Sequence, residues 1–158
     1  MAISMRPAVP EDRTRIVDLY LALRDHHRAL QPANPRYLVP RSGWERTIDR
    51  AMANDEAKVI VAEEDGVIVG FMKLAFVEKP WGKSCEVETL VIDDPRRSLG
   101  IGRRLMDEAE GIARDSGAAG VRVDVLFENE RAREFYERLG YTRTSIRLGK
   151  AIDPGESF

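Results

Sequence analysis

Cysteine is the scarcest reactive residue in this 158-residue chain. Cys85 stands alone, which excludes an intrachain disulfide framework and points to a reducing, cytoplasmic compartment. Histidine is almost as rare. The two histidines, His26 and His27, are adjacent, so their side chains diverge around a helix, and no third ligand at metal spacing accompanies them. A metal site is not expected. No apolar run approaches the roughly 18 residues that span a bilayer, and Met1-Ala-Ile-Ser-Met-Arg-Pro7 lacks the apolar core of a signal peptide. A membrane partner is therefore not expected either. Charge of one sign is also missing: 25 Lys and Arg against 27 Asp and Glu leave a net charge of −2, which provides no global field for nucleic acid.

The chain does contain enough apolar sequence, 43% by count, to bury one substantial core. With no repeat and no low-complexity linker, a single domain over residues 1–150 is expected, followed by a short tail at 151–158. A strand at Ile3–Arg6 precedes Pro10-Glu-Asp12, residues that suit a helix start. Ile16, Leu19, Tyr20 and Leu23 then follow helical spacing to about His26, and Trp44, Ile48 and Met52 mark a second helix beyond the proline-bearing loop at 31–40. Lys58–Glu63 and Val67–Phe76 are β-rich runs joined by Asp65-Gly66, a pair that favours the positive φ angles of a tight hairpin.

In the next strand, Ser84–Ile92, the alternation slips. Val87 and Thr89 share one face of an ideal strand, whereas Leu90 and Ile92 share the other. A bulge accounts for the slip, and a bulge leaves backbone groups free to bond an extended ligand. A helix over Gly102–Ser116, a strand over Val121–Leu126, a helix over Glu130–Leu139 and a last strand at Tyr141–Leu148 complete the order β-α-α-β-β-β-α-β-α-β. That order gives an α/β fold with a mixed sheet and helices on both faces.

The strand-to-helix turn is the most informative stretch. A helix N-terminus offers unpartnered N–H groups and partial positive charge to phosphate oxygens, and Gly100 and Gly102 keep the approach open. The turn lacks both the Lys-Ser/Thr pair of a nucleotide triphosphate loop and the third glycine of a dinucleotide fingerprint. Arg97-Ser-Leu-Gly-Ile-Gly102 instead resembles the Arg/Gln-x-x-Gly-x-Gly/Ala signature of the GNAT superfamily of N-acetyltransferases. Downstream, Asn129-Glu-Arg-Ala-Arg-Glu-Phe-Tyr-Glu-Arg-Leu-Gly-Tyr141 is similar to that family's Asn-x-x-Ala-x-x-Phe-Tyr-x-x-x-Gly-Phe/Tyr motif. Ser4-Met-Arg-Pro-Ala-Val-Pro-Glu-Asp12 is similar to its usual first strand and helix start.

The resemblance implies the GNAT fold and acetyl-coenzyme A (acetyl-CoA) as co-substrate. It assigns Arg97, Ser98, Leu99, Gly100, Ile101, Gly102 and Arg103 to the pyrophosphate, and the backbone of Leu90, Val91 and Ile92 to the pantetheine arm. Asn129 is implied as a further pantetheine contact, and it also suits the N-cap of the following helix. Tyr136 is implied as the general acid facing the sulfur, and the alternative for it is core packing beside Phe135. Arg96 and Arg131 are weaker candidates for the 3′-phosphate. The expected reaction is direct transfer to a primary amine, on a small molecule or a protein, in a ternary complex.

For a base, Glu86 and Glu88 lie on the bulged strand and share a face unless the bulge intervenes, with Glu88 ranked first; the alternative is a pair of solvated strand residues. Cys85 reads as a small strand residue rather than a nucleophile. Arginines at 24, 28, 36, 41, 46 and 50 weakly suggest an acidic acceptor, which solvated arginines explain equally well. The rival readings are an inactive acyl-CoA-binding sensor and a nucleic-acid-binding turn; balanced charge and the lack of an aromatic platform in the motif disfavour the second. The family's habits imply a homodimer, although a monomer also suits this length.

Overall fold

The structure, a computed structural model, describes residues 2–150 and 152. Five strands form one sheet in the order β1 (Ile3–Pro7), β2 (Ala57–Glu64), β3 (Val67–Lys79), β4 (Gly82–Ile92) and β5 (Gly120–Val123). The first four pair antiparallel, and β4 pairs with β5 in parallel. Helices α1 (Arg13–Leu30) and α2 (Arg41–Ala53) cover one face, and α3 (Ile101–Asp115) and α4 (Glu130–Arg138) the other. The sheet is mixed and open.

Each face has its own core, because alternate strand residues point to opposite sides. Val59, Val61, Phe71 and Val91 meet Ile16, Val17, Tyr20, Trp44 and Ile48 beneath α1 and α2. Met72, Leu74, Cys85 and Val87 meet Ile101, Leu105, Met106 and Tyr136 beneath α3 and α4. Phe71 and Leu105 are both fully buried. The entry to α1 is fixed by Arg6, which donates twice to Asp12, at 2.7 and 3.0 Å, and once to Glu63 at 3.1 Å. Asp12 also accepts the Val9 N–H at 2.8 Å.

Asp65 (φ 50°) and Gly66 (φ 81°) turn β2 into β3, as an Asp-Gly pair between β-rich runs predicts. The β3–β4 hairpin is longer than the β pattern suggests, because Lys79 still pairs with Gly82 and Trp81 sits exposed at the tip. The bulge is present. Lys73 pairs with Thr89 and the next residue, Leu74, with Val87, so Glu88 is the extra residue. Beyond it Leu90 and Ile92 turn to the α3/α4 face while Val91 faces α1 and α2.

Two expectations at the C-terminal half are corrected. β5 ends at Val123 rather than continuing to Leu126, because its partner strand departs at the bulge and the last pair is Val87 with Val123. The strand expected at Tyr141–Leu148 is not formed. Residues 142–150 carry no ladder, and Ile146 and Leu148 are 87% and 90% exposed. The segment stands across a cleft from the open edge of β5 and forms no ladder with it. Of the expected tail, only residue 152 is described.

Candidate active site

At the end of β4 the chain crosses to α3 through a short 3-10 turn, Asp94–Arg96, and an exposed loop. Ser98 (φ 68°) and Gly100 (φ 79°) are both left-handed. Gly100 adopts this conformation without cost, whereas Ser98 does not. Among the described residues, none of the N–H groups from Ser98 to Arg103 has an intramolecular acceptor, and the first bond back to the loop is Arg104 N–H to Gly100 O at 3.1 Å. Six donors are therefore without an internal partner at the positive end of a 15-residue helix.

The arginines nearby are mostly committed elsewhere. Arg97 pairs with Asp94 at 2.9 Å, Arg96 with the buried carboxylate of Glu64 at 2.7 Å, and Arg104 donates to the Ile3 carbonyl at 2.7 Å. Arg103 has no ion-pair partner among the described residues. Backbone N–H groups, more than side chains, are the uncommitted donors at this turn. Gly102 has a second role that its motif does not reveal: a Cβ there would lie 3.1 Å from the Phe135 ring of α4. Its missing side chain thus lets α3 and α4 approach.

Beside the loop, β4 and β5 diverge. Their pairing ends at Val87–Val123, so Thr89, Leu90, Val91 and Ile92 have no strand partner on the β5 side and present a free backbone edge. Across the gap, Asn129 starts α4, its side chain accepting the Ala132 N–H at 3.2 Å. The cap uses only the carbonyl oxygen of that amide, leaving its NH₂ free to donate. Tyr136 sits about two turns further on. It is buried, edge-to-face with Phe135 and Tyr141 at 5.0 and 6.0 Å between centroids, and its hydroxyl has no hydrogen-bond partner among the described residues. Burial pushes this phenol well above its ordinary range, so it carries its proton at neutral pH.

The two carboxylates have different surroundings. Glu88, on the bulge, is exposed and forms an ion pair with Lys73, whose side chain is mostly buried. Glu86 accepts from the Ser84 hydroxyl at 2.9 Å and lies on the wall of a cleft beside β5. Lys73 alternates with Met72 and Leu74 of the α3/α4 core and so faces the α1/α2 side. Glu88 and Tyr136 therefore flank the strand divergence from opposite faces of the sheet. Two groups not anticipated from the sequence also gather on the Glu88 side. Lys73 is one. The other is Tyr20, whose hydroxyl bonds to Thr89 at 2.9 Å and whose ring lies 4.4 Å from that of Trp44.

Further out, His27 lies 5.9 Å from His26 and 5.5 Å from Tyr37, between ring centroids. Burial, reinforced by His26 and Arg36, lowers its pKa to about 4, so it is neutral at physiological pH. Gln31, just after α1, donates to Glu128 at 3.2 Å and ties this end of the helix to the loop preceding Asn129. Arg41 is held by Asp18 and Glu45 at 2.7 and 3.1 Å, and Arg24 by Asp25 at 2.8 Å. Those pairings weaken the case for an acidic acceptor. The Cys85 thiol is buried, and burial together with Glu86 raises its pKa to about 11, so it stays protonated. Among the described residues no three His, Cys, Asp or Glu side chains cluster, and no helix is long and apolar enough to cross a membrane.

Comparison with known proteins gives a consistent result. A model of the Acetyltransferase (GNAT) family matches residues 17–141. The chain is 26% identical over 141 residues to the uncharacterized N-acetyltransferase YhfO of Bacillus subtilis, covering 88% of this chain and 89% of that protein. Its backbone resembles a tetramutant of the BH1408 protein of Bacillus halodurans, with a TM-score of 0.82 at 20% identity over 94% of this chain and 99% of the other. It also resembles a predicted acetyltransferase of Clostridium acetobutylicum solved with acetyl-CoA, with a TM-score of 0.75 at 17% identity over 96% of this chain and 97% of that one.

Proposed function

The chain belongs to the Acetyltransferase (GNAT) family, and on that premise we propose that it transfers the acetyl group of acetyl-CoA directly to a primary amine, on a small molecule or a protein, in a ternary complex. One observation carries the reading. The unpartnered N–H groups at the start of α3 adjoin the strand edge left free where β4 leaves β5, which provides one site for a pyrophosphate and a second for an extended amide-bearing arm. The two anchors would hold a thioester at the divergence.

Glu88 and Tyr136 flank that point. In the proposed reaction the amine nitrogen attacks the thioester carbonyl carbon and the carbon–sulfur bond breaks. The surplus amine proton passes to Glu88, directly or through water, and the departing thiolate takes the Tyr136 proton. Glu86 is the second candidate base. A buried phenol suits the acid role because it is protonated before the thiolate develops. No protein nucleophile is needed, consistent with a Cys85 that remains a thiol.

The experiment is a coupled assay of coenzyme thiol release from acetyl-CoA across a panel of small amines and peptide amines, with Glu88→Gln in parallel. The reading predicts thiol release that requires both substrates and acylated amine in equal amount. Release no faster than spontaneous hydrolysis, with every amine tested, would count against it.

A further inference from the structure

The turn before α3 is fastened at both ends to strands β1 and β2, and both fastenings reach one pair of residues. Ile3 and Glu64 are cross-strand partners. Arg96, two residues before the six unpartnered N–H groups begin, reaches the Glu64 carboxylate at 2.7 Å, and Arg104, immediately after they end, donates to the Ile3 carbonyl at 2.7 Å. Alternation places Glu64 where it can be reached. Ile60 and Ala62 belong to the α3/α4 core, so Glu64, two positions on, points to the same face. It is a carboxylate in an otherwise apolar register, only 6% exposed, and a buried carboxylate is costly unless it is paired. Glu64 therefore holds Arg96, and with it the loop, against the strand. Between the two arginines Ser98 keeps a left-handed φ of 68°, a conformation that persists in a non-glycine residue only where the surroundings impose it.

We propose that Glu64 and Arg96 are positioning residues for acetyl-CoA: neither touches it, and their ion pair holds the turn in the shape that aims its N–H groups at the pyrophosphate. The inference rests on the reading of that turn as the pyrophosphate site. It changes the role of Arg96, which the sequence offers as a contact to the 3′-phosphate, because its guanidinium is already engaged by Glu64. It also fixes the sign of an effect. A carboxylate beside an anion site repels the anion, so if the charge of Glu64 acted directly, its removal would tighten binding. Acting through Arg96 and the turn, the same removal loosens it. A turn released at one end spends less time in the competent shape, and the apparent dissociation constant rises by that fraction, equally for every ligand that uses the turn. The loosening stays local. Asp93, at the end of β4, is held separately by Arg15 at 2.8 Å and by its own N–H to the Val69 carbonyl at 2.8 Å, so the strand edge keeps its place when the Glu64–Arg96 pair is broken.

The test is calorimetric titration of the full chain with acetyl-CoA and with 3′-dephosphorylated coenzyme A, on wild type, Glu64→Gln, Arg96→Gln and the double variant, with circular dichroism to establish that each is folded. Wild type should bind both ligands. Each single variant should raise Kd by about 2–30-fold, the usual range for a residue coupled to a ligand it does not touch, and by the same factor for both ligands. The double variant should lose no more than the weaker-binding single one. Arg96→Gln leaves Glu64 buried and unpaired, so the double variant, which removes both charges, carries the test if that single variant does not fold. Glu64→Gln binding as tightly as wild type, or more tightly, would overturn the proposal. So would a loss in Arg96→Gln confined to acetyl-CoA, which returns that arginine to the 3′-phosphate, or losses that simply add. Those outcomes leave the reading of the turn intact, whereas a wild-type chain that binds neither ligand removes both.

Discussion

The acid role proposed for Tyr136 rests on the surroundings of one side chain. Its ring is buried among Phe135, Tyr141 and the α3/α4 core, and its hydroxyl is left without a partner. Removing only that hydroxyl, in Tyr136→Phe, should lower kcat by about 10²–10⁴-fold, the usual range for losing a general acid, while the acetyl-CoA Kd changes little. Steady-state kinetics beside a binding titration separate the two effects, and an unchanged kcat would remove Tyr136 from the mechanism. His27 makes a prediction about pH. Its folded pKa, about 4, lies below its unfolded value of about 6.5, so between these values the unfolded chain binds more protons and stability rises with pH. The contribution is complete above about 6.5 and falls away toward pH 4, by less than about 1.4 kcal/mol per pH unit for one proton. Urea midpoints measured across that window should show the slope, and His27→Gln should flatten it.

Among the elements, α3 and α4 are coupled at one position. A methyl group at Gly102 would meet the Phe135 ring at 3.1 Å and push it by a few tenths of an ångström, so the overpacking cost of about 1–3 kcal/mol is partly offset by the gain of about 1 kcal/mol from replacing a helical glycine, and Gly102→Ala should destabilise the domain by no more than about 2 kcal/mol. Phe135→Leu should recover part of that loss. Additive effects of the two changes in denaturant titrations would show that the contact is not the cause. This contact was hidden in the sequence because it joins residues 33 positions apart, and the glycine alone suggested only an open approach for phosphate. The bulge was legible, since Val87 and Leu90 can share a face only if one residue between them is extra. Which residue it is, and that Lys73 would meet it, depended on the register with β3. Lys73 did leave a trace, as the lone charge between Val67 and Phe76. The helices were legible from spacing and the β2–β3 hairpin from Asp65-Gly66. The last strand was misread because alternation reports only the capacity to pair, whereas the segment after α4 stands across a cleft from the open edge of β5 and forms no ladder with it.

For the whole molecule, a sheet with two cores positions the site. The α3/α4 core holds Tyr136 and the helix start, the α1/α2 core holds Tyr20 and Trp44, and the pairing of β4 with β5 ends at Val87–Val123 between them. The central claim is that the β4 edge left free there and the adjoining N–H groups bind acetyl-CoA. Calorimetric titration of the purified chain with acetyl-CoA tests it most directly, with free coenzyme A and a 3′-dephosphorylated analogue as comparisons. Saturable binding at one site per chain is predicted, retained in weaker form by the analogue because the main donors are backbone groups facing the pyrophosphate. Absence of binding to folded protein at concentrations up to about 1 mM, equivalent to less than about 4 kcal/mol of affinity, would contradict it.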